Sequence, residues 1–266
     1  GRWLAERQAV LAVVLEDEER RTVRALLRGV AQGASPGARL RAVMPTPALP
    51  IRVLDRLTRT TSVNELVNEL VRVGHPAGRV LEDLLRHAPS PPLRSFEWAL
   101  ARLLARQKQE LEFYRGLVVR QYAAELVDQE NVWTLLLAAP LEAAASAEEE
   151  FLPGGARLSR EEFGRLRAER DPERLASALR TRFEGTALGA ALGQGVADLS
   201  SLEARVVAAR IGWLRGLARR DPLGPAVVLA VLERIRAEAR ALRAIAWGVA
   251  FGAPAPALAS LMPEAA

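Results

Sequence analysis

Cysteine is absent from the 266 residues, which removes disulfides, thiolate nucleophiles and cysteine-held metal or iron–sulfur centres from consideration and fits a reducing compartment. Histidine is nearly as scarce. Only His75 and His87 occur, neither beside an acidic ligand at HExxH-like spacing, so no zinc or di-iron site is expected and both are read as surface or loop residues. Lysine is reduced to Lys108, the rest of the basic side being arginine, a bias that points to GC-rich coding and fits a thermophilic source. Long apolar runs are missing as well. The best, residues 132–141 (VWTLLLAAPL), is broken by Pro140, and a bilayer crossing needs roughly 18–20 residues. With no signal-peptide pattern at the amino end, we expect a cytoplasmic chain, peripheral to any membrane complex it joins.

What is present favours helix. Aromatics make up 5% of the chain and β-branched residues are few, while Ala, Leu, Arg and Glu dominate, the residues that lose least entropy on entering a helix. The expected fold class is all-α, with half the residues hydrophobic to build cores. The net charge is +5 and the sequence pI about 10.7, yet the arginines interleave with Glu and Asp (EDEERR, REEFGRLRAERDPER), the pattern of solvated ion-paired faces. No basic block with interleaved aromatics appears, so no nucleic-acid partner is expected. Gly193-Gln194-Gly195 is not followed by Lys-Ser or Lys-Thr, as a phosphate loop would require. No nucleophile and base pair is visible, and neither an enzyme nor a cofactor site is expected.

Periodicity and caps divide the chain into helices. The first runs from about Trp3 towards Arg28, with Gly29 and Gly33 as its stop. Residues 34–50 (ASPGARLRAVMPTPALP) read as a Pro/Gly loop. Ser62 with Glu65, and Ser159 with Glu162, have capping-box spacing. Further helices are expected over 80–87, 95–109, 114–139, from Asp171-Pro172 onward, and over 200–219, with GTALGAALGQG as a glycine-spaced connection. After the break at DPLGP, the last helix places Val228, Leu232, Ile235, Ala239, Leu242 and Ala246 on one stripe, which is expected to be core. Trp98, Trp133, Trp213 and Trp247 are expected to pack in cores. The end of the chain, APAPALASLMPEAA, reads as a mobile tail or as a segment that needs a partner to order.

A repetition cuts across this layout. Residues 24–34 read RALLRGVAQGA and residues 243–253 read RAIAWGVAFGA, identical at seven of eleven positions. Between them lies VDQENVWTLLL, and Thr22, Asn131 and Ala241 take equivalent places at steps of 109 and 110 residues. Leu66 and Leu70 recur as Leu175 and Leu179 at the same step, and Ser95-Phe-Glu97 recurs as Ser201-Leu-Glu203 after 106. Such a period means a helical-bundle unit used three times. The expected repeats are residues 1–110, 111–220 and a partial third, 221–266. Three such units can stack openly or close about a pseudo-threefold axis.

At these residues the chain resembles the C subunit of prokaryotic V/A-type ATPases, whose counterpart in the eukaryotic V-type enzyme is the d subunit. That family carries, three times, a helix reading acidic-x-x-Asn-apolar-x-x-apolar-apolar-Arg. The copies here begin at Glu19, with Thr22 and Arg28; at Asp128, with Asn131; and at Glu238, with Ala241 and Arg243. The asparagine survives only as Asn131 and the closing arginine only as Arg28. The resemblance spans essentially the whole chain, and SVNELVNEL and DPERLASAL match the intervening pattern.

It implies a funnel of three helical domains seated on the cytoplasmic face of the membrane proteolipid rotor ring, holding the foot of the central stalk. Such a rotor adaptor carries torque and does no chemistry; its membrane association is indirect, through the ring. The motif residues Glu19, Arg28, Asp128, Asn131, Glu238 and Arg243 then have mainly structural roles. The alternative is a helical-repeat scaffold that binds another protein or a nucleic acid, with an open solenoid and a continuous basic concave face.

Overall fold

The computed structural model describes residues 2–88, 90–110, 116–138, 150–196 and 199–254, and every regular element among them is a helix. The all-α class holds. The chain packs as two compact units, Gly1–Ala168 and Glu169–Ala266. The first contains α1 (Arg2–Ala31), α2 (Pro36–Arg41), α3 (Ile51–Thr58), α4 (Val63–Arg72), α5 (Pro76–His87), α6 (Leu93–Glu110), α7 (Leu117–Ala138) and α8 (Arg160–Arg167). The second contains α9 (Pro172–Arg182), α10 (Ala187–Leu192), α11 (Leu199–Arg220) and α12 (Pro225–Ala250).

In the first unit, spacings of three and four along α1 line up Val23, Leu26, Leu27 and Val30 on one face. They join Leu54 and Leu57 of α3, Leu66 and Leu70 of α4, Leu81 of α5 and Leu100 of α6 in one core cluster. Most of these leucines are fully buried, and each contributes about 1.5–3 kcal/mol by leaving water.

The twice-written eleven residues fold the same way twice, though not as their glycines suggest. Gly29 and Gly248 lie inside their helices. The left-handed residues are Gly33 (φ 66) and Gly252 (φ 70), four positions on. There the Ala34 N–H donates to Gly29 O and the Gly33 N–H to Val30 O; the Ala253 N–H donates to Gly248 O and the Gly252 N–H to Val249 O. Both ends are Schellman caps, which require the positive φ at the residue just past the helix. Gly29 is small for another reason: a Cβ there would stand 2.8 Å from Arg39 Cγ, while the Arg39 guanidinium donates to Ala34 O and Thr60 O.

Several short helices lie where a loop is expected. α2 occupies part of the Pro/Gly segment, started by Ser35, whose hydroxyl accepts from the Ala38 N–H, and by Pro36 at a first-turn position. α3 follows it, and α5 begins at Pro76, four residues before the expected start. α10 forms within GTALGAALGQG, capped by Thr186. The reason is packing. α4–α5 and α9–α10 are tight hairpins in which a glycine lets the second helix touch the end of the first. A Cβ at Gly78 would lie 2.5 Å from Val71 N, and one at Gly189 would lie 2.1 Å from Phe183 O.

The capping box at Ser159 is complete, with Ser159 Oγ accepting from the Glu162 N–H and the Glu162 carboxylate from the Ser159 N–H. At Ser62 only half of it forms. Ser62 Oγ accepts from the Glu65 N–H, but the Glu65 carboxylate reaches one residue further back, to the Thr61 amide and hydroxyl.

The largest departure is on α12. Its buried residues are Ala226, Leu229, Ala230, Glu233 and Arg236. The expected core stripe is instead largely solvent-facing: Val228, Ile235 and Leu242 are exposed, as are Val231 and Val249. Trp98, Trp133, Trp213 and Trp247 are half-buried; Trp247 stacks on exposed Phe251 at 5.2 Å. The carboxyl-terminal tail, from residue 255, lies outside the described residues.

Helix starts recur at the spacing that the sequence shows. α3 and α8 begin 109 residues apart, as do α4 and α9. The caps His75 and Thr186 that open α5 and α10 are 111 apart.

Candidate functional site

The motif helices α1, α7 and α12 carry the residues singled out by the sequence, and on the first two the acidic residue grips a loop. In α7, Asp128 Oδ2 accepts from the Ala156 and Arg157 N–H groups at 2.8 and 3.1 Å. Asn131, fully buried, donates its amide to Leu152 O and accepts from the Leu152 N–H, both at 2.9 Å. Two side chains one helical turn apart thus hold both ends of the loop that leads into α8. Gly155 makes the approach possible, since a Cβ there would overlap Asp128 Oδ1 at 2.2 Å.

In α1, Glu19 does the same work for the loop that leads into α3. Glu19 Oε1 accepts from the Thr46 hydroxyl at 3.0 Å, and Thr46 Oγ1 accepts from the Leu49 N–H. Glu19 Oε2 also faces His75 Nε2 at 3.5 Å. His75 is therefore no surface residue. It is buried, and its Nδ1 accepts from the Ala77 N–H to cap α5, while His87 stays exposed. Thr22, which stands where α7 has Asn131, is buried with an unpartnered hydroxyl; it is too short to reach what an asparagine would.

The third copy is different. Glu238 forms a one-turn ion pair with Arg234 at 2.7 Å on an exposed face, and Arg243 lies half-buried further along α12. Arg28 closes the first copy by pairing with Glu97 of α6.

Burial raises the Asp128 carboxyl to about 6, only partly offset by the amide donors of Ala156, Arg157 and Leu158, with Glu125 adding like charge. A carboxyl raised on folding favours the folded state while protonated, that is below its unfolded value of 3.8, and this contribution is lost as pH rises through about 6. We therefore expect Asp128→Asn, which keeps the acceptor oxygen and drops the charge, to flatten the stability profile between pH 4 and 6. Against the parent chain it should gain about 2–3 kcal/mol at pH 7.5 relative to pH 4; urea titrations at both pH values check this.

Asn131→Leu tests the neighbouring clasp. It leaves the buried Leu152 N–H and C=O without partners, and we expect a loss of about 2–3 kcal/mol in the same titrations.

Sequence reasoning missed the charges beside these clasps. Glu130 is buried on α7 and receives Arg20 Nη2 and Arg24 Nη2 of α1, each at 2.9 Å. Asp17 accepts from Arg20 and Arg21. Burial alone would raise the Glu130 carboxyl, but Arg20 and Arg24 outweigh it and hold it down at about 2. Lys108 of α6 is buried with its ammonium on Glu16 and Val13 O, and burial lowers its pKa despite Glu16. A signal was available. DQEN at 128–131 and EDEERRT at 16–22 are polar runs spanning a full turn or more, so part of each must face inward.

Among the described residues no three His, Asp or Glu side chains come together to hold a metal, and no helix is long and apolar enough to cross a membrane. A cleft of about 510 Å³ in the second unit is lined by Arg180, Glu184, Thr186, Ala190, Ala209 and Trp213, and the Thr186 hydroxyl there is engaged with Phe183 O and the Gly189 N–H.

Helical hairpins, loop clasps and inward-facing ion pairs define a helical protein whose distinctive polar residues bind its own backbone. The sequence profile of the ATP synthase (C/AC39) subunit family matches residues 2–258, and the chain belongs to that family, which supplies the C or d subunit of V-type rotary ATPases. No curated protein matches the chain.

Proposed function

We propose that this chain is a non-catalytic adaptor on the rotor of a V/A-type ATPase. It sits on the cytoplasmic face of the proteolipid ring and sockets the central stalk, so that rotation of one turns the other. Its three motif helices open three successive helical repeats.

The observation that carries this reading is where the motif residues spend their polarity. Glu19, Asp128 and Asn131 point at loops of the same chain, and Glu130 ties α7 to α1 through two arginines. A part that carries torque needs fixed geometry between its helices, and buried ion pairs and hydrogen bonds that join helix to helix and helix to loop support that.

Affinity purification of the tagged chain from solubilised membranes of its own source tests the proposal. Proteolipid ring and central-stalk subunits are expected to come with it. A folded, full-length chain that recovers neither would refute the adaptor role.

A further inference from the structure

The last helix is apolar on two opposite faces, and the fold of the second unit uses one of them. Ala226, Leu229, Ala230, Glu233 and Arg236 of α12 are buried where the helix packs on α11, and Arg210 of α11 pairs with Glu233 there. On the far side Val228, Val231, Ile235, Leu242 and Val249 are between 40% and 67% exposed, with Ile245 half-buried among them. Singly exposed apolar residues are ordinary, whereas a helix apolar on both faces belongs in a core or an interface.

The spacing on the outer face says what kind of surface covers it. Positions 228, 231, 235, 238, 242, 245 and 249 follow one another at alternating steps of three and four. That is a heptad seam, apolar at every place except Glu238. Such a seam suits a second long helix lying alongside, because supercoiling keeps a 3.5-residue repeat in contact from end to end. Ala239, Ala241, Ala246 and Gly248 flank it and let that helix come close.

The polar place narrows the choice to an identical helix. Glu238 accepts from Arg234, one turn back, at 2.7 Å on the exposed face. Two copies of α12 laid antiparallel, with the dyad between positions 236 and 237, set Val228 against the partner's Ile245, Val231 against the partner's Leu242 and Ile235 against the partner's Glu238. Arg234 of each copy then stands beside both Glu238 side chains. Two carboxylates and two guanidinium groups meet at the dyad without net charge, and the surface is self-complementary, as a twofold interface requires. A parallel pair would instead set the two Glu238 carboxylates against each other in one layer.

We propose that the outer face of α12 is a homodimer interface, formed with α12 of a second copy of the chain, antiparallel and centred on the Arg234–Glu238 pair. The inference concerns the chain by itself and is independent of the rotor role.

Sedimentation of the full chain at micromolar concentration tests it. The expected species has twice the mass of the 28.9 kDa chain. Ile235→Asp places a charge where a lone chain tolerates one, and it is expected to weaken association at least about tenfold with helix content unchanged by circular dichroism. Glu238→Arg brings only guanidinium groups to the dyad and is expected to do the same. Adding Arg234→Glu to that variant is expected to restore the dimer, since opposite charges meet again.

A parent chain that stays monomeric overturns the proposal, and that includes the case in which the chain's own residues cover the face. A dimer that survives Ile235→Asp also overturns it, by placing the contact elsewhere. If Glu238→Arg leaves association unchanged, the antiparallel arrangement is wrong, because in a parallel pair that substitution exchanges one like-charge layer for another.

Discussion

Replacing Glu130 by methionine is expected to destabilise the first unit by about 3–5 kcal/mol, since it strands two guanidinium groups at a buried contact. Arg20 has a side chain only 5% exposed and Arg24 one 22% exposed, and both end on the Glu130 carboxylate. Arg20 keeps Asp17 after the change, so the cost falls short of that of a wholly isolated charge. Removing all three members together, as Glu130→Met with Arg20→Met and Arg24→Leu, should return most of the loss, because apolar replacements of similar volume do as well in such a place as the ions did. Urea unfolding of the single and triple variants at pH 7 checks both. If the single variant loses less than about 1 kcal/mol, the pairing of α1 with α7 through Glu130 is not what holds these helices.

The second large effect concerns the hairpin glycines. Alanine is a better helix former than glycine by about 1 kcal/mol, and Gly189 lies within α10. Yet a Cβ there meets Phe183 O at 2.1 Å and Phe183 C at 2.6 Å, backbone atoms that cannot swing aside. The steric term wins, and Gly189→Ala is expected to cost roughly 3–4 kcal/mol net, at the upper end of overpacking penalties. Gly78→Ala meets the backbone of Leu70 and Val71 in α4 and should behave alike. Gly212 and Gly216 on α11 have nothing within 4 Å of an added Cβ, so alanine there should stabilise by about 1 kcal/mol. Thermal melts of the four variants give opposite signs for the two pairs if close helix contact is the reason for the hairpin glycines.

The class of fold and most long helices were legible because composition and period agree over many residues: α1, α6 and α11 run one to three positions past their expected bounds, and α7 as described lies within its own. Short elements were not. α2 and α10 are six residues each, too brief for a period to declare itself, and both sit in glycine- and proline-bearing segments whose local signal is a turn. α10 exists because Gly189 permits contact with α9, a tertiary fact that no local pattern encodes.

The candidate site was legible as positions and not as roles. Asp128 and Asn131 announce themselves by spacing, but the loop that each holds is 21 to 29 residues away. Glu130 stayed hidden because a charged residue on a long helix reads as solvated until the facing helix is known. The error on α12 has the opposite cause. Val228, Ile235 and Leu242 follow the period of a core stripe correctly, but a period states which residues share a face and not whether anything covers it.

The proposed adaptor would join ring to stalk mechanically. Reconstituting the ATPase in lipid vesicles with and without the chain, and recording ATP hydrolysis and ion transport side by side, tests it most directly. The account predicts that vesicles lacking the chain still hydrolyse ATP but lose ion transport, and that adding the chain restores transport. Transport that continues at an undiminished rate without the chain would contradict it.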